Sequence, residues 1–396
     1  MIRIEPFTAF TPSAKMVTEV VCGIGSPNHY ENVIKPFLSG TAPDKNLIHN
    51  SLAYFQRLKE AGHLIKDSGP SVYIYRQKSA EGVEFEGVII GVSAQDYING
   101  SICKHENTID AKLEIMVNHI DALRAVGEPI LLSDPNEDFM EYWMHLHQEK
   151  SPLLFNFTDN KSRQHQLWAV HNQAAIDDLK LNFQKTPRLY IADGHHRIAA
   201  SARFIEKKGL LQSQNPEDSC IMAFVIPESR LRIKSFHRLL KNTDLEQWMD
   251  MIHNASSDFY IDLLKSPAIP EKKGDIVTLT PHGWYRLRLK PGHIHPSPAH
   301  NLDVYRLENY VFSKFFNIIN SSKDSRLSFT RGDMPPEELL MLRNRGEIDG
   351  AFLLYPNTIK EIKEVADAEE TMPPKSTWIE PKLPAGMIIK EFSRTI

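Results

Sequence analysis

The chain has 396 residues, 41% of them hydrophobic and 24% charged, with a net charge of −4. This balance fits a folded globular protein of two or three units. It excludes a disordered chain, and it lacks the basic excess of a protein whose main partner is a nucleic-acid backbone. No run of about 18 uncharged apolar residues occurs, and MIRIEPFTAF lacks the basic start and apolar run of a secretion signal. A cytoplasmic protein without membrane segments is therefore expected. Cys22, Cys103 and Cys220 show neither zinc-site spacing nor the even count of a disulfide framework, so reduced thiols are expected.

In chain order, Met16 to Cys22 reads as a strand, Gly23 to Asn28 as a Gly/Ser/Pro-rich break, and Ser51 to Ala61 as helical. Ser71 to Gln77 and Val83 to Gly91 alternate about a turn at Ser79 to Gly82 and predict a hairpin. From Gly100 to Val126 the segment ICKHENT leads into a helix, which puts Lys104 to Thr108 at a loop-to-helix junction. Leu167 to His171 predicts a strand, Asn172 a cap, and Ala175, Ile176, Leu179 and Phe183 recur at helical spacing. Pro187 ends that helix, and a second strand, Arg188 to Ala192, runs into Asp-Gly-His-His-Arg and a further helix. This strand-helix-strand-helix order predicts an α/β fold with a mixed sheet. A strand at Ile221 to Ile226 follows, and a boundary is expected after about Arg238. Breaks at 266–274 and 290–300 bracket a strand-rich segment. The chain closes with a strand at Ile348 to Leu354, a helix at Asn357 to Asp367, MPPKSTWIEPKLPAG and a last strand.

The turn after the second strand is the main candidate site. A helix start has backbone N–H groups without intrahelical partners, at the positive end of the dipole, so it favours phosphate or carboxylate. Asp193 is expected to cap, Gly194 to let the backbone turn close to a ligand, and Arg197 to offer a planar fork to phosphate oxygens. His195 and His196 add groups that titrate near neutrality, but as neighbours on a helix they diverge by about 100° and do not suit one metal. His105, Glu106 and Thr108 combine an imidazole, a carboxylate and a hydroxyl, suited to general-base work or to a metal-bound phosphate. Lys375, Ser376, Thr377 and Lys382 place two cations and two hydroxyls in a Pro-framed segment, which reads either as part of a site or as a turn docking the C-terminus. His237 and Arg238 also carry both readings. His293 and His295 sit among prolines without a carboxylate or cysteine cluster, and no zinc site is expected. Neither a P-loop nor a Rossmann fingerprint occurs, so phosphate handling would fall to the DGHHR helix start.

Taken together, YIADGHHR, KHENT and MPPKSTWIEPKL resemble the bacterial and archaeal domain of unknown function 1015, over nearly the whole chain. The DGHHR turn is also similar to the signature turn of the ParB/sulfiredoxin superfamily, which includes nucleotide-binding ParB-type proteins, sulfiredoxin and free-serine kinases. The resemblance implies three segments: an N-terminal α/β part with a hairpin at 1–99, a ParB/sulfiredoxin-like phosphate-binding core at 100–238, and a C-terminal α/β part contributing to the cleft at 239–396. It implies that Gly194, His195, His196 and Arg197 cradle phosphate, that Asp193 partners Mg²⁺, and that Glu106 is the base. Lys375, Ser376, Thr377 and Lys382 would reach the same cleft. The implied activity is phosphoryl transfer from ADP, ATP or pyrophosphate to a small hydroxyl acceptor, foremost free L-serine. A ParB-like nucleotide-binding regulator and a phosphate-ester or pyrophosphate hydrolase are the alternatives. Where the family has Pro-Pro-Tyr-Asp near its N-terminus this chain has Val20-Val21-Cys22-Gly23-Ile24, and the charged Asp-Arg pair that follows the family's HExT motif is replaced by Lys112-Leu113-Glu114-Ile115. Both changes point to a different acceptor.

Overall fold

The computed structural model describes residues 1–38, 45–292 and 294–393, and His293 lies outside the described residues. The chain divides into two compact units, Met1–Leu231 with Pro381–Ile396, and Arg232–Glu380. The three expected segments do not follow this division. Strands from 1–99 and from 100–231 interleave in one sheet, and the boundary falls before Arg232 rather than after Arg238.

Among the described residues the largest sheet of the first unit has nine strands: β1 (Ile4–Glu5), β2 (Val72–Lys78), β3 (Glu84–Ser93), β4 (Ile102–Cys103), β5 (Ile130–Asp134), β6 (Leu153–Thr158), β7 (Gln164–Val170), β8 (Leu189–Asp193) and β9 (Cys220–Pro227). Their order is β4-β8-β5-β9-β3-β2-β7-β6, with β1 beside β3. The sheet is mixed, as expected: β8 runs parallel to β4 but antiparallel to β5, and β9 runs parallel to β5 but antiparallel to β3. Central β9, CIMAFVIP, is buried along its whole length because both of its faces are covered, which explains a continuous apolar run where an alternating one would mark a half-exposed strand. The expected hairpin forms as β2 and β3, its turn closed by Ser79 N–H to the Val83 carbonyl at 2.8 Å.

Three helices matter for the site: α1 (Asp110–Leu123), α2 (Gln173–Phe183) and α3 (His195–Lys207). Asn172 caps α2 as expected, its side-chain oxygen accepting from Ala175 N–H at 3.0 Å. Asn172→Ala is therefore expected to lower stability by about 1 kcal/mol, read from the urea midpoint at unchanged slope; no shift would remove the cap from the account. In α3 the run Ile198-Ala199-Ala200-Ser201-Ala202 is buried on nearly all sides, since small side chains let the helix lie close to α1 and to the sheet. Met16 to Cys22, expected as a strand, instead contains a helix, Val17–Cys22. Val17, Val20 and Val21 are its buried residues, and that i, i+3, i+4 spacing overrides the β-propensity of valine.

Among the described residues the second unit has a six-stranded antiparallel sheet and a two-stranded ribbon of Arg232–Lys234 with Trp378–Glu380. The expected strand-rich segment forms Asp275–Thr280 and Gly283–Leu289, paired antiparallel. Helix Ile359–Asp367 opens on a capping box, Thr358 with Glu361.

Candidate functional site

The site grows from the end of β8. A register shift between Ile191 and Asp193 closes the pairing with β5. Gly194 then takes a φ of 98°, a left-handed conformation that only glycine adopts without strain. A Cβ there would also stand 3.1–3.3 Å from atoms of the Arg197 guanidinium. Gly194, not Asp193, is the N-cap of α3, and no side chain caps the helix, which corrects the capping role expected of Asp193. The first N–H groups of α3 thus open without side-chain acceptors at the positive end of the dipole.

Asp193 belongs instead to a row of alternating charges. Lys382 Nζ donates to Asp193 Oδ1 at 2.5 Å, and Arg197 Nη2 donates to Oδ2 at 2.8 Å. Arg197 Nη1 donates to Glu128 Oε2 at 2.9 Å and to the Pro129 carbonyl at 3.1 Å. All four charged side chains line one cavity of about 190 Å³, together with Pro129, Leu131, Pro381 and Leu383. Glu128 was not anticipated from the sequence; Gly127-Glu128-Pro129 signals only a turn. Asp193 was expected to partner magnesium, but both of its oxygens face cations, an environment that repels a divalent ion, so the donor set does not fit that role. Among the described residues no group of three His, Cys, Asp or Glu side chains is arranged to hold a metal.

The KHENT segment lies between β4 and α1, at the expected junction, and folds over the start of α3. His105 N–H donates to His195 Nε2 at 3.4 Å, and Ile109 N–H donates to His196 Nε2 at 3.1 Å. An imidazole nitrogen that accepts carries no proton, so both rings hold theirs on Nδ1. His195 Nδ1 faces Glu106 Oε2 at 3.7 Å. Burial holds the His195 and His196 pKa values below the usual range, His195 with added repulsion from its histidine neighbours and Lys104, and burial pushes His105 down to about 4. His195 and His196 are therefore neutral at pH 7, and the positive charge at the cavity comes from Arg197, Lys382 and the helix start. His105 is 1% exposed, packs edge-on against His195 at 4.4 Å, and neither ring nitrogen has a hydrogen-bond partner among the described residues. Thr108 is half-buried in the same segment.

Lys382 is in the first unit, but Lys375, Ser376 and Thr377 are in the second. Ser376 is buried, donates to the Pro373 carbonyl at 2.5 Å, and its own carbonyl accepts from Asn357. Lys375 has a φ of 56° and places its ammonium over Phe236. Arg238, wholly buried, donates to the Lys375 carbonyl at 3.0 Å, so its role is to pin this segment.

The fold and the site define a mixed α/β protein in which a glycine-opened helix start meets two cations at a small cavity. The chain belongs to the family described as "Protein of unknown function (DUF1015)", whose model matches residues 4–305. Among solved structures, one described as a free serine kinase variant in complex with AMP is 14% identical, covering 76% of this chain and 92% of its own, with a TM-score of 0.39. A conserved hypothetical protein from Pyrococcus furiosus is also 14% identical over 72% of this chain and 90% of its own, with a TM-score of 0.36. SbnI from Staphylococcus aureus, truncated at its C-terminus, is 14% identical over 75% and 85%, with a TM-score of 0.37. No curated protein matches the chain. Among the described residues no helix is long and apolar enough to cross a membrane.

Proposed function

We propose that this protein transfers a phosphoryl group from ADP, ATP or pyrophosphate to the hydroxyl of a small acceptor, with free L-serine the first candidate. The observation that carries the reading is the convergence, within one unit, of the KHENT segment, the Gly194-opened helix start and Lys382 around Asp193 and Arg197. Phosphoryl transfer asks a protein mainly to position its reactants and stabilise charge. The N–H groups of α3, Arg197 and Lys382 hold the transferred group. Glu106, set beside the neutral His195, takes the acceptor's hydroxyl proton as its oxygen bonds to phosphorus and the bond to the donor's leaving oxygen breaks. With Asp193 committed to two cations, the protein's own compensation for phosphate charge is these cations and the helix dipole.

Phosphorus NMR of the purified protein with L-serine and each donor in turn tests this. A new phosphomonoester signal that needs both serine and one donor is expected. Donor cleavage without an acceptor would turn the reading to a hydrolase, and nucleotide binding with donor and serine unchanged would turn it to a regulator. Glu106→Gln is expected to lower turnover by about two orders of magnitude while the circular dichroism spectrum stays that of the parent. Full activity in the folded variant would remove Glu106 from the mechanism.

A further inference from the structure

Three cavities of the first unit meet at one side chain, Glu128. It lines the 190 Å³ cavity with Lys382 and Asp193, a cavity of about 120 Å³ walled by Tyr30, Met116, Val126 and Met222, and one of about 360 Å³ that reaches Lys161 and Arg163. Its position is fixed from behind. A Cβ on the preceding Gly127 would stand 2.4–2.6 Å from the buried Tyr30 ring, so the backbone is pressed against that ring and Glu128 projects from a firm wall.

The charge count gives this position a meaning. Lys382, Asp193, Arg197 and Glu128 form an alternating row that sums to zero. A phosphoryl group carries about two negative charges, and when it draws on Arg197 and Lys382 it leaves Glu128 without its partner beside a largely apolar cavity. Glu128 is 36% exposed, so solvent carries part of its charge once the guanidinium turns away, and the freed carboxylate stands at the junction of the cavities as an acceptor for another cation. Resting on the phosphotransferase reading above, we propose that Glu128 binds the ammonium group of the acceptor, which makes the acceptor class an amino alcohol or hydroxy amino acid and excludes neutral polyols and hydroxy acids. Phosphate and amine bind cooperatively, because each removes the other's competitor: phosphate frees Glu128, and the amine frees Arg197.

Two measurements on the full-length protein test this. In the first, the transfer assay compares L-serine and ethanolamine with glycerate and glycolate, which carry the hydroxyl without the amine. The amine-bearing acceptors are expected to exceed the others in kcat/KM by about 100-fold, and Glu128→Gln to erase most of that gap, chiefly through KM. Equal use of glycerate and serine, or an unchanged preference in the folded variant, would overturn the role of Glu128 while leaving phosphoryl transfer standing. In the second, calorimetry follows L-serine binding with and without inorganic phosphate. Phosphate is expected to tighten serine binding by about threefold to fivefold in the parent and not in Glu128→Gln. Coupling without transfer would keep the ammonium site and refute the kinase; transfer without coupling or amine preference would do the reverse.

Discussion

Arg197→Ala is expected to lower phosphoryl-transfer turnover by at least about 100-fold with the fold intact. The guanidinium spans Asp193, Glu128 and the Pro129 carbonyl from a single planar fork, and its removal takes away one of the two cations at the cavity. The stability effect should be small by comparison. The guanidinium is 26% exposed and its carboxylate partners 32–36%, so solvent screens both ion pairs and each is worth about 1 kcal/mol or less. Arg197→Lys makes the sharper comparison, because an ammonium restores charge but cannot bridge two carboxylates and a carbonyl at once. It should recover only part of the lost rate. Steady-state rates set beside thermal denaturation curves decide the matter. An Ala variant that keeps its melting temperature and most of its rate would show that phosphate binds elsewhere.

Lys390→Met should stabilise the protein at pH 7 by about 2 kcal/mol. Lys390 lies in the strand Ile389–Glu391, is 0% exposed, and has no hydrogen-bond partner for its ammonium among the described residues; Phe392, whose centroid is 3.8 Å away, supplies a cation–π contact. Burial pulls its pKa from the usual 10.5 down to about 8, only partly opposed by Cys220, Asp218 and Glu217. At 1.36 kcal/mol for each pKa unit, holding the charged form in the fold costs roughly 3 kcal/mol, of which the aromatic contact offsets about 1. Methionine matches the length of the side chain without the charge. The sign in pH follows from the depressed value. Below about pH 8 both folded and unfolded lysine are charged and the cost is complete; between about 8 and 10.5 the folded group loses its proton first, so parent stability rises and the advantage of the variant closes. Cys220, pushed up to about 11 by burial, titrates in both proteins, so the difference between their stability curves reports mainly on Lys390. A variant less stable than the parent at pH 7 would mean that the buried ammonium is compensated.

Short-range signals were legible in the sequence because their physics is local. The hairpin at Ser79 to Gly82, the Asn172 cap and the glycine-opened turn before α3 each depend on residues within a few positions of one another, and all three form. The helix Val17–Cys22 departs from the strand expected there, because its buried valines recur at helical intervals and that spacing outweighs their β-propensity. Asp193 looked like a cap for the same local reason, and its actual partner Lys382 comes from the other end of the chain. Glu128 carried no motif at all, since nothing in Gly-Glu-Pro indicates that the adjacent strand will bring it to Arg197.

The sequence by itself determined the α/β class, the family and the chemistry available at the helix start, because hydrophobic period, turn residues and caps act over a few bonds. Only the tertiary structure decided how that chemistry is arranged. It neutralised the histidines by burying them, placed Asp193 between two cations, set Glu128 where three cavities meet, and kept Lys375 to Thr377 within the second unit. Those outcomes depend on burial and on charges remote in sequence, which no local pattern encodes.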